Sequence, residues 1–600
     1  MNTVLELISE KLKSAFTACG YEEKYGTAAV SNRPDLCQYQ CNGALAAAKQ
    51  YHKAPIAIAG EIAEKLAGDE LFSKVEAVNP GFLNINISNK ALADYLNQMA
   101  KAENLGFEPA NKGKTAIVDY GGANVAKPLH VGHLRPAIIG ESVKRLLDFD
   151  GFKTIGDAHL GDWGTPIGLI FTEMQVRYPD LVFWDESFTG EYPKECPVTL
   201  KELEEIYPFA SAKSKEDEEY RAKARQAVFE LQNGRKGYLA LWKKIMEISK
   251  NDLKRNYDNL NVHFELWYGE SDSDPYIMPM IEDLKKKGIA KISEGALVVD
   301  VKEESDNKEM PPCMLLKSDG AVGYDSTDLA TIVQRQKDFS PSKIIYVVDK
   351  RQGLHFEQVF RAARKAGIVG DDTELFFLGN GTMNGKDGKP FKTRDGGVMR
   401  LEYLVRDISD KVLEKMADRD MEEEEAQEIS RMVGLAALKY GDLSNQATKD
   451  YIFDVDRFTS FEGNTGPYML YTMVRIKSIL EKLASAEGTS IDKIRNDVTF
   501  GNFKLGKTDR EYSASEVDLM LALTGFSEAI HKAADEYAPH KVCAFVYDLA
   551  DRFNTFYHDH KIVAQEDVNV RNEWVCLIVD VLTALEICMD LLAIKVPDRM

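Results

Sequence analysis

The chain has 600 residues, 75 of them Lys or Arg and 96 Asp or Glu, for a formal net charge of −21. Domains of roughly 100–200 residues lead one to expect two to four here, and 44% apolar, 10% aromatic and 28% charged residues exclude wholesale disorder. The acid excess argues against a protein coated in positive charge to hold nucleic acid without preference, while leaving room for a local basic patch.

Residues 1–110 carry helical patterns at 4–16, 43–49 and 55–66 and one strand-like run at 81–87, which alternates strictly from Leu83 onward. Residues 103–114 are polar, with two glycines and a proline, and read as a linker. From 115 to 400, apolar β-rich runs at 115–120, 296–301, 343–348 and 374–378 alternate with helical patterns at 136–149 and 356–366, which predicts a parallel sheet covered by helices. A charged helical insertion sits at about 180–260, with patterns at 213–223 and 239–256. Residues 401–600 are almost wholly helix-patterned apart from a loop near 488–507, and none of the three stretches is basic overall. The fold class expected is therefore α/β. A Rossmann-like parallel-sheet catalytic domain (111–400) follows an N-terminal α+β domain (1–110) and precedes an all-helical domain (401–600).

No stretch offers about 20 clean apolar residues for a membrane span, and the N-terminus lacks the layout of a secretory signal. Eight cysteines form no C-x-x-C pair, so reduced thiols and no protein-bound zinc are expected.

The segment that carries chemistry is 115–133, a strand, a glycine-bearing loop and then a helix beginning near His130 and His133. Such a junction lies at the carboxyl end of a parallel strand, where ligands bind, and a helix N-terminus suits phosphate. Gly132 lets a ligand approach the backbone. Two imidazoles three apart share a face and donate to a phosphate as its charge develops, with Lys127 as an added cation. Taken bare, the pair also fits a metal pair without a third ligand, or packed histidines.

The run A-N-V-A-K-P-L-H-V-G-H (123–133) resembles the first signature of class I aminoacyl-tRNA synthetases, and its extended form with Asn124, Lys127 and Pro128 is similar to that of the arginyl-tRNA synthetase family. G-D-W-G-T (161–165), Y-D-S-T-D-L-A (324–330), Y-V-V-D-K-R-Q-G-L-H (346–355) and a lysine- and glycine-rich stretch (385–397) follow in the family's order. The stretch 385–397 occupies the place of the second signature without its usual K-M-S-K-S form.

The resemblance implies ATP-dependent ligation of L-arginine to its tRNA through an arginyl-adenylate, with Mg2+ accompanying ATP. Lys127, His130, His133, Lys389 and Lys392 are then the catalytic candidates, and Gly132, His130, His133 and Lys392 the ATP contacts. Which lysine of the degenerate second signature acts stays open, since Thr393 stands where a catalytic lysine is usual. For arginine, whose guanidinium has five donors and a permanent charge, Asp119, Asn124, Tyr324, Asp328 and Gln352 match. Asp328 and Tyr324 are expected at the guanidinium end, Asn124 and Gln352 at the α-amino and carboxylate end. For tRNA, Asn79, Phe82 and Asn84 match the N-terminal module that touches the elbow, and Tyr468, Tyr471 and Arg475 the anticodon-binding domain. Basic residues must then gather on one face, with candidates in 101–114 and at Arg475 and Lys477. The family also implies a cytoplasmic monomer with no membrane partner. The rivals are another class I synthetase, such as the cysteinyl one, or a catalytically inactive tRNA-binding relative.

Overall fold

The computed structural model describes residues 1–389, 399–417 and 421–600. The chain opens with helix Val4–Ala18, started by a reciprocal cap in which Thr3 Oγ1 accepts from the Glu6 N–H while the Glu6 carboxylate accepts from the Thr3 N–H. This helix and those at Gly43–Tyr51, Pro55–Leu66 and Asn89–Lys101 accompany an antiparallel sheet of β1 (Ala28–Val30), β2 (Tyr39–Cys41), β3 (Phe72–Val78) and β4 (Phe82–Ile87), in the order β1-β2-β4-β3. β4 is the strand the alternation predicts, with Leu83, Ile85 and Ile87 buried and Phe82, Asn84 and Asn86 on the other face. The other three strands are a correction to the sequence reading. β1 and β2 are too short to carry a period, and β3 is polar at its start.

The expected linker is also corrected, because it is packed rather than free. Phe107 is buried and stacks on His531 of the helical region at 4.3 Å, and Asp150 accepts from the Ala110 N–H and the Asn111 side chain at 3.1 and 2.6 Å.

Next come β5 (Thr115–Tyr120) and β6 (Lys153–Asp157), joined by helix Leu134–Phe149. The insertion folds as helices Leu200–Glu216, Glu218–Gln232 and Lys236–Asn259, the first two separated at Asp217, whose side chain caps the second. Beyond helix Glu270–Lys286, β7 (Ala290–Ser293), β8 (Ala296–Val299) and β9 (Cys313–Leu316) form a small antiparallel sheet, which corrects the expectation that the run at 296–301 belongs to the parallel sheet: strand propensity does not say which neighbour a strand pairs with. β10 (Lys343–Asp349) and β11 (Glu374–Asn380) complete the main parallel sheet, in the order β11-β10-β5-β6. β12 (Met383–Asn384) then pairs in parallel with β13 (Tyr451–Ile452).

From 401 onward helices dominate the described residues, including Glu423–Leu443, Gly466–Glu487, Pro539–Asp559 and Val568–Leu591, with β13 the one strand among them. A helix at Ile491–Thr499 stands inside the stretch expected to be a loop. The helical region packs directly on helix Leu134–Phe149, which is why that helix is buried on nearly every side rather than along one stripe. Arg135 meets Asp442 at 3.0 Å with both side chains buried, and the Ser142 hydroxyl donates to the Leu591 carbonyl at 2.9 Å. Gly140 permits the close approach to the sheet, since a Cβ there would lie 2.3 Å from Tyr120 Cγ. The fold is thus α/β, with an α+β N-terminal unit and a predominantly helical C-terminal region.

Candidate active site

β5 ends at Tyr120 and the chain crosses the edge of the sheet to His130, where a short 3-10 turn, Val131–His133, runs into helix Leu134–Phe149. The His130 N–H donates to His133 Nδ1 at 3.1 Å, and the Gly132 N–H donates to His130 Nδ1 at 3.0 Å. Both Nδ1 atoms accept, so each neutral ring carries its proton on Nε2, and no partner among the described residues takes either Nε2. The rings lie 3.9 Å apart. Burial and then the charge of Lys127 lower His130, while burial, then His130 and Lys127, lower His133 to about 3, so both rings stay neutral. The backbone thereby occupies both Nδ1 atoms and leaves an Nε2–H donor on each of two adjacent rings, which suits an anion. Gly132 sits between them, where a Cβ would come within 2.8 Å of the His130 ring.

Lys127 lies with its ammonium 4.1 Å above the ring of Tyr207. Of the second signature, residues 385–389 form a tight turn in which the Gly385 N–H donates to the Lys389 carbonyl at 2.8 Å, and Lys389 is exposed. Lys392, Thr393 and residues 396–397 lie outside the described residues. The segment after them is stitched to the first signature. The Val131 N–H donates to the Met399 carbonyl at 3.0 Å, and the Leu401 N–H to the Leu129 carbonyl at 3.1 Å.

The acidic half of the site lies at the ends of β5 and β6 and on helix Tyr324–Phe339. Asp119 and Asp157 are register partners, and Arg335 Nη2 lies 2.6 Å from an oxygen of each. His159 Nδ1 is 3.4 Å from Asp157. Two carboxylates therefore face two cations in a buried cluster. Burial opposes every one of these charges, yet Asp157 and Asp119 outweigh it at His159 and raise it to about 9. Burial dominates at Asp119 and raises it, while His159 and Arg335 hold Asp157 low. Asp119, Asp157 and His159 have the spacing of a metal site, but the Arg335 guanidinium already supplies the cation there. The sequence reading missed Arg335, Asp157 and His159. Arg335 follows Asp328 by two helical turns on the same face, and Asp157 and His159 directly precede the G-D-W-G block, so the signal was within reach.

Asp328 and Asp325 clamp His355 from either side, at 2.5 Å to Nε2 and 3.0 Å to Nδ1. Burial works against the imidazolium, but the two carboxylates raise it to about 10. Tyr324, 71% exposed, stands at the start of the same helix. Gln352 is exposed on the 3-10 turn Lys350–Gln352. Asn124 bridges to Gly161 of the G-D-W-G block, its Oδ1 filling the space a Cβ there would need. Glu270 is a further missed acid. Burial, then Asp162 and more weakly Asp328, raise it to about 7, while it accepts from the Trp163 N–H.

The remaining candidates lie well outside this site. Phe82 and Asn84 share the open face of β4, with Gln40 donating to Asn84 Oδ1 at 3.0 Å, and Asn79 is exposed at the strand's approach. Tyr468 and Tyr471 are half-buried on helix Gly466–Glu487, and Arg475 lies over Tyr471 at 4.7 Å and over Tyr557 at 5.4 Å. Tyr557, one helix away, was not foreseen. Lys477 is turned to Asp598 at 3.1 Å.

Comparison with known proteins falls into line with these three regions. Residues 96–455 match the model of the class I (R) tRNA synthetase catalytic domain, 469–600 that of the DALR anticodon binding domain, and 2–87 that of the arginyl tRNA synthetase N-terminal domain. The chain is 56% identical to the arginine–tRNA ligase of Agathobacter rectalis and 52% identical to that of Alkaliphilus oremlandii, with 100% of each chain covered in both cases. A solved structure of arginyl-tRNA synthetase from Plasmodium falciparum superposes with a TM-score of 0.78 at 25% identity, covering 100% of both chains.

Proposed function

The chain belongs to the arginyl-tRNA synthetase family, and from that premise we propose that it is an arginine–tRNA ligase, joining L-arginine to its cognate tRNA at the expense of ATP. The arginine carboxylate attacks the α-phosphate of MgATP, pyrophosphate leaves, and the terminal ribose hydroxyl of tRNA then takes the arginyl group from the adenylate. In such a reaction the protein mainly positions groups and stabilises charge. The observation that carries the reading is the pair of adjacent neutral imidazoles at a helix start whose Nδ1 atoms accept from the backbone, leaving both Nε2–H donors without a partner among the described residues.

In this reading His130 and His133 hold the phosphates beside Gly132, Lys127 supplies the cation close to them, and Lys389 and Lys392 approach pyrophosphate. Asp328 takes the substrate guanidinium with Tyr324 over it. Asn124 and Gln352 hold the α-amino and carboxylate groups, and Asp119 offers Oδ1, since Arg335 is bonded to its Oδ2. Asn79, Phe82 and Asn84 meet the tRNA elbow, and Tyr468, Tyr471 and Arg475 the anticodon arm. The working units are residues 1–110, 111–400 with the insertion at about 180–260, and 401–600. The enzyme acts in the cytoplasm as a monomer. No helix among the described residues is long and apolar enough to cross a membrane.

The test is ATP–pyrophosphate exchange with each amino acid, with and without tRNA. Exchange with arginine alone, requiring tRNA, is expected; exchange supported by another amino acid would overturn the assignment.

A further inference from the structure

The helical insertion touches the signature segments at three points. Ala126, just before Lys127, has a φ of +58°, a conformation costly for any residue with a Cβ. It is held there because its N–H donates to Ser249 Oγ at 3.0 Å, from the buried face of helix Lys236–Asn259. The next side chain, Lys127, is delivered to the Tyr207 ring of helix Leu200–Glu216, 4.1 Å from its centroid. Three residues earlier on that helix, and so on the same face, Glu204 receives Arg400 at 2.6 Å. Arg400 is the backbone bridge partner of His130.

One helix face thus holds a cation from each of two segments that flank the histidines. Neither cation is buried in a carboxylate cage. The ring offers Lys127 a weak, directional attraction that leaves its N–H donors available. Its charge also reaches the histidines, since it contributes to keeping both of them neutral.

We propose that Tyr207 is a positioning residue of the insertion that aims the Lys127 ammonium at the phosphates of ATP. The inference rests on the assignment of Lys127 to the reaction in the preceding subsection. Tyr207 acts through its aromatic face and not through its hydroxyl or its bulk. A residue of the insertion, outside every signature motif, therefore governs how well the first signature works.

A mutant cycle on the full chain tests this, read by arginine- and tRNA-dependent ATP–pyrophosphate exchange. Tyr207→Leu keeps apolar volume and removes the ring. It should lower the rate about threefold to tenfold, in line with the strength of such contacts, with the KM for ATP changed and that for arginine held. Tyr207→Phe keeps the ring and should restore most of the rate. In a Lys127→Ala background, Tyr207→Leu should have no further effect. A Tyr207→Leu loss that persists in full on top of Lys127→Ala would show a role in packing and overturn the proposal, as would Tyr207→Phe being as impaired as Tyr207→Leu. Should Lys127→Ala itself exchange normally, the catalytic assignment of Lys127 falls and the inference with it. A wild-type chain that exchanges no pyrophosphate with arginine overturns the function as a whole, a result distinct from these.

Discussion

Two pairs of histidines in the same domain are held in opposite states. His130 and His133 sit at a helix start with no carboxylate in contact, so burial and Lys127 keep them neutral, His133 down to about 3. His159 and His355 sit among aspartates, which overcome burial and keep them charged, to about 9 and about 10. The side chain is the same, and its state is set by what faces it. In the proposed reaction the neutral pair would offer N–H donors to phosphate without adding charge before the reaction develops it. The charged pair balances acids that would otherwise repel each other.

The largest expected effect breaks the neutral pair. His133→Asn removes the Nε2–H donor while its amide oxygen can still accept the His130 N–H, and should lower the exchange rate by about 100- to 1000-fold, as removal of one preorganised donor does. A loss of only a few-fold would remove His133 from the phosphate site.

Asp328→Asn breaks the charged side. It strips one partner from His355 and the proposed partner from the substrate guanidinium, and kcat/KM for arginine should fall by about 100-fold, the scale of truncating a desolvated charge pair. The KM for ATP and the affinity for tRNA should hold; an unchanged arginine KM would take Asp328 out of the pocket.

Arg475→Ala tests whether the effects stay separate from a region outside both pairs. It should weaken tRNA charging by about tenfold, reduce the salt dependence by about one phosphate contact, and leave the arginine KM untouched. Equal losses in the arginine and tRNA constants would show that the helical region acts through the site instead.

The smallest effect is on stability and has opposite signs for the two pairs. For His159 and His355, the folded pKa lies above the ordinary value near 6.5. Their contribution is therefore complete below about pH 6.5 and is lost as pH rises through about 9 and about 10. For His133 the folded pKa lies below the ordinary value, so the unfolded chain gains protons first and stability falls as pH drops from about 6.5 toward 3. Melting temperatures of wild type and His355→Gln across pH 6–10 should converge at the alkaline end; parallel curves would mean that His355 is neutral in the folded protein.

Much of this was legible in the sequence. The strand alternation at Leu83–Ile87, the β-rich runs at 115–120, 343–348 and 374–378, the insertion and the histidine pair all rest on local patterns of a few residues, while the run at 296–301 is a strand of a different, antiparallel sheet. What escaped notice depends on pairing across the fold. β1 and β2 are too short for a pattern, and the polar residues at 103–114 looked like a free linker until Asp150 and His531 were brought against them. Arg335 was passed over because an arginine on a polar helix normally faces water. Only the sheet, by placing Asp119 beside Asp157, makes a buried place for it.

The sequence alone determined the class of fold, the order of its units and the residues that define the family, because motif spacing and hydrophobic period are properties of the chain itself. The tertiary structure decided which charges meet. The charge on His355, the cation that Asp119 already holds and the ring beneath Lys127 all follow from contacts between residues tens to hundreds of positions apart. A pKa responds to burial and to charges within a few ångströms, and sequence separation is no measure of either.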